Sequence, residues 1–130
     1  MTRTVIDGMN VIGSRADGWW RDRDAAAWRL LRRLQEAAAR SRDELTLVLD
    51  GRPPANLAEG DHDGVEVRYA RRRGRDAADD RIVELVAGDT DPASLCVVTS
   101  DRDLVDRVTV LGATTEGAGA FLRRLDRLGA

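Results

Sequence analysis

The sequence predicts a three-layer α/β domain built on a mainly parallel sheet of about five strands. Three observations carry that reading. Short apolar runs recur without polar alternation, as strands buried on both faces require. Between them lie segments whose apolar residues repeat at helical spacing. Three of the runs end in aspartate, at Asp7, Asp50 and Asp101, and parallel sheets bind ligands beyond that carboxyl edge.

Thr4-Val5-Ile6-Asp7 is the first strand, followed by a turn containing Gly8, Asn10 and Gly13. Residues 18–23, with Trp19 and Trp20, read as a loop. A helix starts near Asp24, with Ala27, Leu30, Leu31, Leu34 and Ala38 on its apolar face. Leu45 to Asp50 is the second strand, broken by Arg52-Pro53-Pro54 and a polar loop running to Asp63. Val65 to Tyr69 alternates, which suits a third strand nearer an edge.

Arg71, Arg72, Arg73 and Arg75 form a basic loop before a helix from Asp76 to about Ala87. Leu95 to Asp101 is the fourth strand, and Val108 to Leu111 is expected as a short fifth. Phe121, Leu122, Leu125 and Leu128 mark a C-terminal helix.

The 130 residues suit one domain spanning 1–130, with 42% apolar and 34% charged residues. No apolar run reaches the ~20 residues that cross a bilayer, and with no secretory h-region before the first strand an intracellular domain is expected. Cys96 stands alone, so no intrachain disulfide is possible and a reducing cytoplasm is expected. All 21 basic residues are arginine. A P-loop lysine, a lysine Schiff base and a phosphoaspartate mechanism assisted by lysine are therefore excluded. One histidine, His62, and one cysteine supply neither an ordinary zinc site nor a hydrolase triad.

The acids are the chemical signal. Asp7 and Asp101 meet at one sheet edge if their strands are neighbours. Asp76 shares a helical face with Asp79 and Asp80. Carboxylates converging on one crevice repel one another unless a cation binds or some are protonated. Hard oxygen ligands suit Mg²⁺ or Mn²⁺, and that pairing suits hydrolysis of a phosphodiester. The bland alternative is that these aspartates only cap helices and turns. The basic loop either grips RNA phosphates or is a solvated face. Trp19 and Trp20 either stack on bases, anchor the loop or bury a dimer contact.

Val5-Ile6-Asp7-Gly8-Met9-Asn10-Val11-Ile12-Gly13 resembles the opening strand and turn of NYN domains, which are PIN-like nucleases. Asp76-Ala77-Ala78-Asp79-Asp80-Arg81-Ile82 resembles the acidic helix start of the YacP-like branch. Val97-Val98-Thr99-Ser100-Asp101-Arg102-Asp103-Leu104 is similar to the family's strand end. The three segments stand in family order across nearly the whole chain.

The resemblance implies a PIN-like (NYN) fold and a Mg²⁺- or Mn²⁺-dependent endoribonuclease that leaves a 5′-phosphate. It makes Asp7, Asp79 and Asp101 the main metal carboxylates, with Asn10 holding the turn or a phosphate oxygen beside Asp7. Asp50, Asp80 and Asp103 become secondary ligands or hold metal-bound water, and Ser100 orients a phosphate or Asp101. Thr114-Thr115-Glu116-Gly117-Ala118-Gly119 departs from the family's basic, serine-containing segment, to which a ribosomal partner would be tied.

RNA is the expected partner; a ribosome, an antitoxin-like protein and a homodimer are further options, and no membrane is expected. Two rival functions stand beside the nuclease. One is an RNA-binding module of the same fold without turnover. The other is a small metal-dependent phosphatase.

Overall fold

The computed structural model describes residues 3–51, 54, 56–74 and 76–130. In chain order the elements are β1 (Arg3–Asp7), α1 (Gly8–Gly13), α2 (Arg23–Ser41), β2 (Glu44–Leu49) and β3 (Gly60–His62). They continue with β4 (Val65–Tyr69), α3 (Ala77–Ala87), β5 (Leu95–Val98), α4 (Arg102–Val110), β6 (Thr114–Glu116) and α5 (Ala118–Leu128). One six-stranded sheet runs in the order β3-β4-β2-β1-β5-β6. Every pairing is parallel except β3 with β4. The predicted α/β architecture is the one observed.

Register explains where the site forms. Ile6 stands opposite Leu47 on one side and Val98 on the other, so β1, β2 and β5 finish at the same edge. Helices α1, α2 and α5 cover one face over a core that includes Ile6, Leu31, Leu34, Leu47 and Phe121. Helices α3 and α4 cover the other over Val5, Val48, Ile82, Val97 and Leu104. These central strands are sealed on both faces, which is why they read as unbroken apolar runs. No described helix is long and apolar enough to cross a membrane.

Three local expectations are corrected. Val108 to Leu111 is not a strand: Val108, Thr109 and Val110 complete α4, and the sheet's next strand is Thr114–Glu116. The β-branched run suggested a strand, but Leu104 and Val108 continue one buried helical stripe while Val110 is 87% exposed. The segment after Asp7 is the short helix α1 and not a turn. Gly8 is needed there, because a Cβ would lie 2.8 Å from Leu49 and 2.9 Å from the Val48 carbonyl. Finally, the polar loop before Val65 contributes β3, an antiparallel edge strand of only three residues, which raises the strand count to six.

The first long helix starts at Arg23, with Asp22 accepting from the Ala25 N–H at 3.0 Å. Cys96 is half-buried, and that burial pushes its thiol up. In β3, the Nε2 of His62 lies 2.6 Å from the Ala58 carbonyl.

Candidate active site

Asp7 is the last residue of β1 and is almost fully buried. Its Oδ2 accepts from the Thr99 hydroxyl at 2.9 Å, and Thr99 Oγ1 accepts in turn from the Asp101 N–H at 3.1 Å. Burial pushes the Asp7 carboxyl up, and the charge of Asp101 adds to this. The Thr99 hydroxyl and the Asn10 backbone N–H act in the opposite sense.

Asp101 follows β5 and opens α4. Its Oδ1 accepts from the N–H groups of Asp103 and Leu104 at 2.9 and 3.3 Å. The capping role that sequence alone left open is therefore real for one oxygen. Asp101 Oδ2 makes no hydrogen bond among the described residues.

Asp79 lies in the first turn of α3, with its carboxyl pushed up to about 6. Burial is the largest cause, followed by the charges of Asp7, Asp101 and Asp76, and Arg107 opposes them. Asp76 precedes α3 in the left-handed region, at φ 63°, and makes no side-chain capping bond. Capping does not explain it.

These residues share one open cleft of about 260 Å³, whose polar wall comprises Asp7, Asn10, Asp50, Asp76, Asp79 and Asp101, together with Arg23. Asp50, one residue past β2, is paired with Arg23 at 2.6 Å. A neighbouring groove of about 310 Å³ is lined by Asp76, Asp79, Asp103, Asp106 and Arg107, which places Asp103 beside the main cleft. Asp80 lines neither. It is held between Arg72 at 2.6 Å and Arg107 at 3.0 Å, which keep its carboxyl below the usual range.

Asn10 and Ser100 brace the cleft. The Ser100 N–H donates to Asn10 Oδ1 at 2.8 Å, and Ser100 Oγ accepts from the Ala118 N–H at 2.9 Å. Ser100 thus ties α1 to the start of α5.

Of the basic loop, Arg71 pairs with Glu84 at 2.8 Å and Arg72 with Asp80. Arg73 is exposed, and Gly74 forms part of the cleft wall. Arg75 lies outside the described residues. Trp19 packs against the core and lines a separate groove with Val11, Leu30 and Leu122. Trp20 is 55% exposed and meets Trp19 edge-on, 6.1 Å between ring centres. Neither tryptophan lines the acidic cleft.

The sequence reading missed Thr99, Arg23 and Arg107. Thr99 was recoverable: extending the β1–β5 register by one residue sets it opposite Asp7. The arginines carried no sequence signal, since each acts through an acid distant in the chain.

Among the described residues, no three His, Cys, Asp or Glu side chains stand close enough to chelate one ion. Mg²⁺ keeps several of its waters and takes only one or two carboxylates. An open cleft walled by mutually repelling aspartates fits such a hydrated, hard cation by its donor chemistry.

The family model described as the YacP-like NYN domain matches residues 4–130. Two crystal structures of Rae1 (YacP) from Bacillus subtilis share this fold. One, a tryptophan-to-leucine mutant, aligns with a TM-score of 0.78 at 22% identity, covering 99% of this chain and 77% of that one. The other gives 0.72 at 23% identity, covering 99% and 76%. No curated protein matches the sequence.

Proposed function

The chain belongs to the YacP-like NYN domain family, and from that membership we propose a metal-dependent endoribonuclease that hydrolyses RNA phosphodiester bonds in the acidic cleft. The observation that supports it most is the gathering of Asp7, Asp79 and Asp101, uncompensated by paired arginines, at the carboxyl ends of parallel strands. A pure RNA binder would gain nothing from negative charge in its groove.

Asp7, Asp79 and Asp101 would hold Mg²⁺ or Mn²⁺, one or two of them directly and the rest through water that the ion retains. The ion, when bound, orients the scissile phosphate, offsets its developing charge and lowers the pKa of the attacking water. Thr99 holds Asp7 in one orientation through its hydroxyl. Asp101 is fixed by its cap to α4, with Oδ2 left for a ligand. Asp50 and Asp103 serve as outer acceptors for water. Asp80 acts indirectly, by orienting Arg107 and Arg72. Arg23 and Arg107 offset phosphate charge at the cleft, and the exposed Arg73 extends that path along RNA. In this reading residues 1–130 act as one unit in the cytoplasm.

A second reading, a binding module without turnover, draws on the spacing of the acids, which do not close to chelating distance. One experiment separates the two. A mixed RNA pool is incubated with protein in Mn²⁺, Mg²⁺ or EDTA, alongside Asp101→Asn, which retains a capping oxygen. Metal-dependent cleavage that the variant loses supports the nuclease. RNA retention in EDTA with no cleavage in Mn²⁺ supports the binding module.

A further inference from the structure

A second cavity of about 270 Å³ adjoins the acidic cleft and shares Met9, Arg23 and Asp50 with it. Among the described residues its remaining walls are Asp24, Ala27, Leu49 and Pro54. Met9, Ala27, Leu49 and Pro54 offer apolar surface, which suits the faces of a flat ring. Asp24 lies exposed in the first turn of α2, whose cap is Asp22, and makes no hydrogen bond or ion pair among the described residues, so its carboxylate is open to a ligand at the cavity's rim. An ionised carboxylate only accepts hydrogen bonds, so a base that it would hold presents donors.

Among nucleobases, guanine presents two adjacent donors, its N1–H and exocyclic N2–H, that match one carboxylate. Adenine and cytosine set their amino group beside a ring nitrogen acceptor, which a carboxylate repels. Uracil brackets its one N–H with carbonyls. Arg23 stands where the two cavities join, suited to the phosphate between a held base and the cleft.

We propose that this cavity is a nucleobase subsite of the acidic cleft and that Asp24 makes it prefer guanine. The proposal rests on the nuclease reading and adds a substrate preference to it.

Two measurements test it on the full chain. Met1 and Met9 are the only methionines, so ¹³C-methyl methionine gives Met9 one of two signals. Guanosine 5′-monophosphate shifts the Met9 methyl saturably, adenosine 5′-monophosphate binds about tenfold more weakly or worse, and Asp24→Asn narrows that gap to about threefold or less. Equal response to both nucleotides, or no response of Met9, overturns the subsite. The unshifted spectrum of the variant verifies its fold.

Cleavage of oligonucleotides differing only by guanine or adenine beside the cut supplies the second reading. Cutting without base preference overturns the subsite and leaves the nuclease standing. Selective guanosine binding with no cleavage of any RNA retains the subsite and overturns the nuclease.

Discussion

At the N-terminal edge of the sheet, Arg3, Glu44, Glu66, Arg68 and Asp89 line a groove of about 170 Å³. Each acid there has a guanidinium: Asp89 is bridged by Arg3, Glu44 lies 3.6 Å from Arg3, and Glu66 lies 2.8 Å from Arg68. Arg3 holds the Asp89 carboxyl below its usual range. At the carboxyl edge Asp7 and Asp79 shift the other way, pushed up by burial and by neighbouring carboxylates. Both edges are rich in charge. The acids of the first edge are paired, whereas Asp7, Asp79 and Asp101 at the second are not, and it is there that the proposed chemistry lies.

The sharpest way to break this contrast is to remove one unpaired acid. Asp101→Asn is expected to lower metal-dependent RNA cleavage by about a hundredfold or more, several kcal/mol of lost transition-state stabilisation. Full activity in that variant would place the chemistry elsewhere.

Thr99→Val tests the support beneath the acids. It leaves Asp7 buried without its hydroxyl donor, which is expected to cost about 1–3 kcal/mol in denaturant unfolding and to slow cleavage. Unchanged stability would mean that Asp7 is better solvated than its burial implies.

A smaller effect concerns pH. The Asp79 carboxyl titrates at about 6 in the fold against an ordinary 3.8, so its ionised form is the disfavoured one. In EDTA its contribution to stability is fully present below the lower value, is lost as pH rises toward the higher, and stays lost above it. Melting curves of wild type and Asp79→Asn should therefore diverge in favour of the variant above pH ~6 and converge near pH ~4. Mn²⁺ should lift the wild type at the higher pH only. Parallel curves throughout would remove the repulsion argument.

The smallest change is expected at the paired edge. Glu66→Gln removes one partner of an exposed ion pair, so cleavage stays at the wild-type rate and melting barely moves. A loss of activity there would erase the distinction between the two edges.

Much of the frame was legible because β1, β2 and β5 are buried on both faces, leaving Val-Ile and Leu-Val-Leu runs that end in aspartate. What failed to show was local structure settled by tertiary contact. Val108-Thr109-Val110 has strand-like composition, yet α3 and the sheet bury Val108 as part of a helix begun by Asp101. Gly8 weakens any helical expectation for α1, although the close approach of Leu49 requires a residue without Cβ. In the cleft, the aspartates announced themselves by position. The compensation of Asp80 by Arg107, and of Asp50 by Arg23, depends on partners 27 residues apart in both cases, and no local pattern encodes it.

Ser100 has a mechanical implication. Its N–H holds the Asn10 side chain, while its Oγ receives the first N–H of α5. The C-terminal helix is thereby in series with the short helix α1 that carries Asn10, three residues beyond Asp7. Lifting α5 from the sheet would remove the donor that holds Ser100 Oγ, and with it one strut beside the cleft. Amide exchange at Ser100 and Ala118 would then accelerate together.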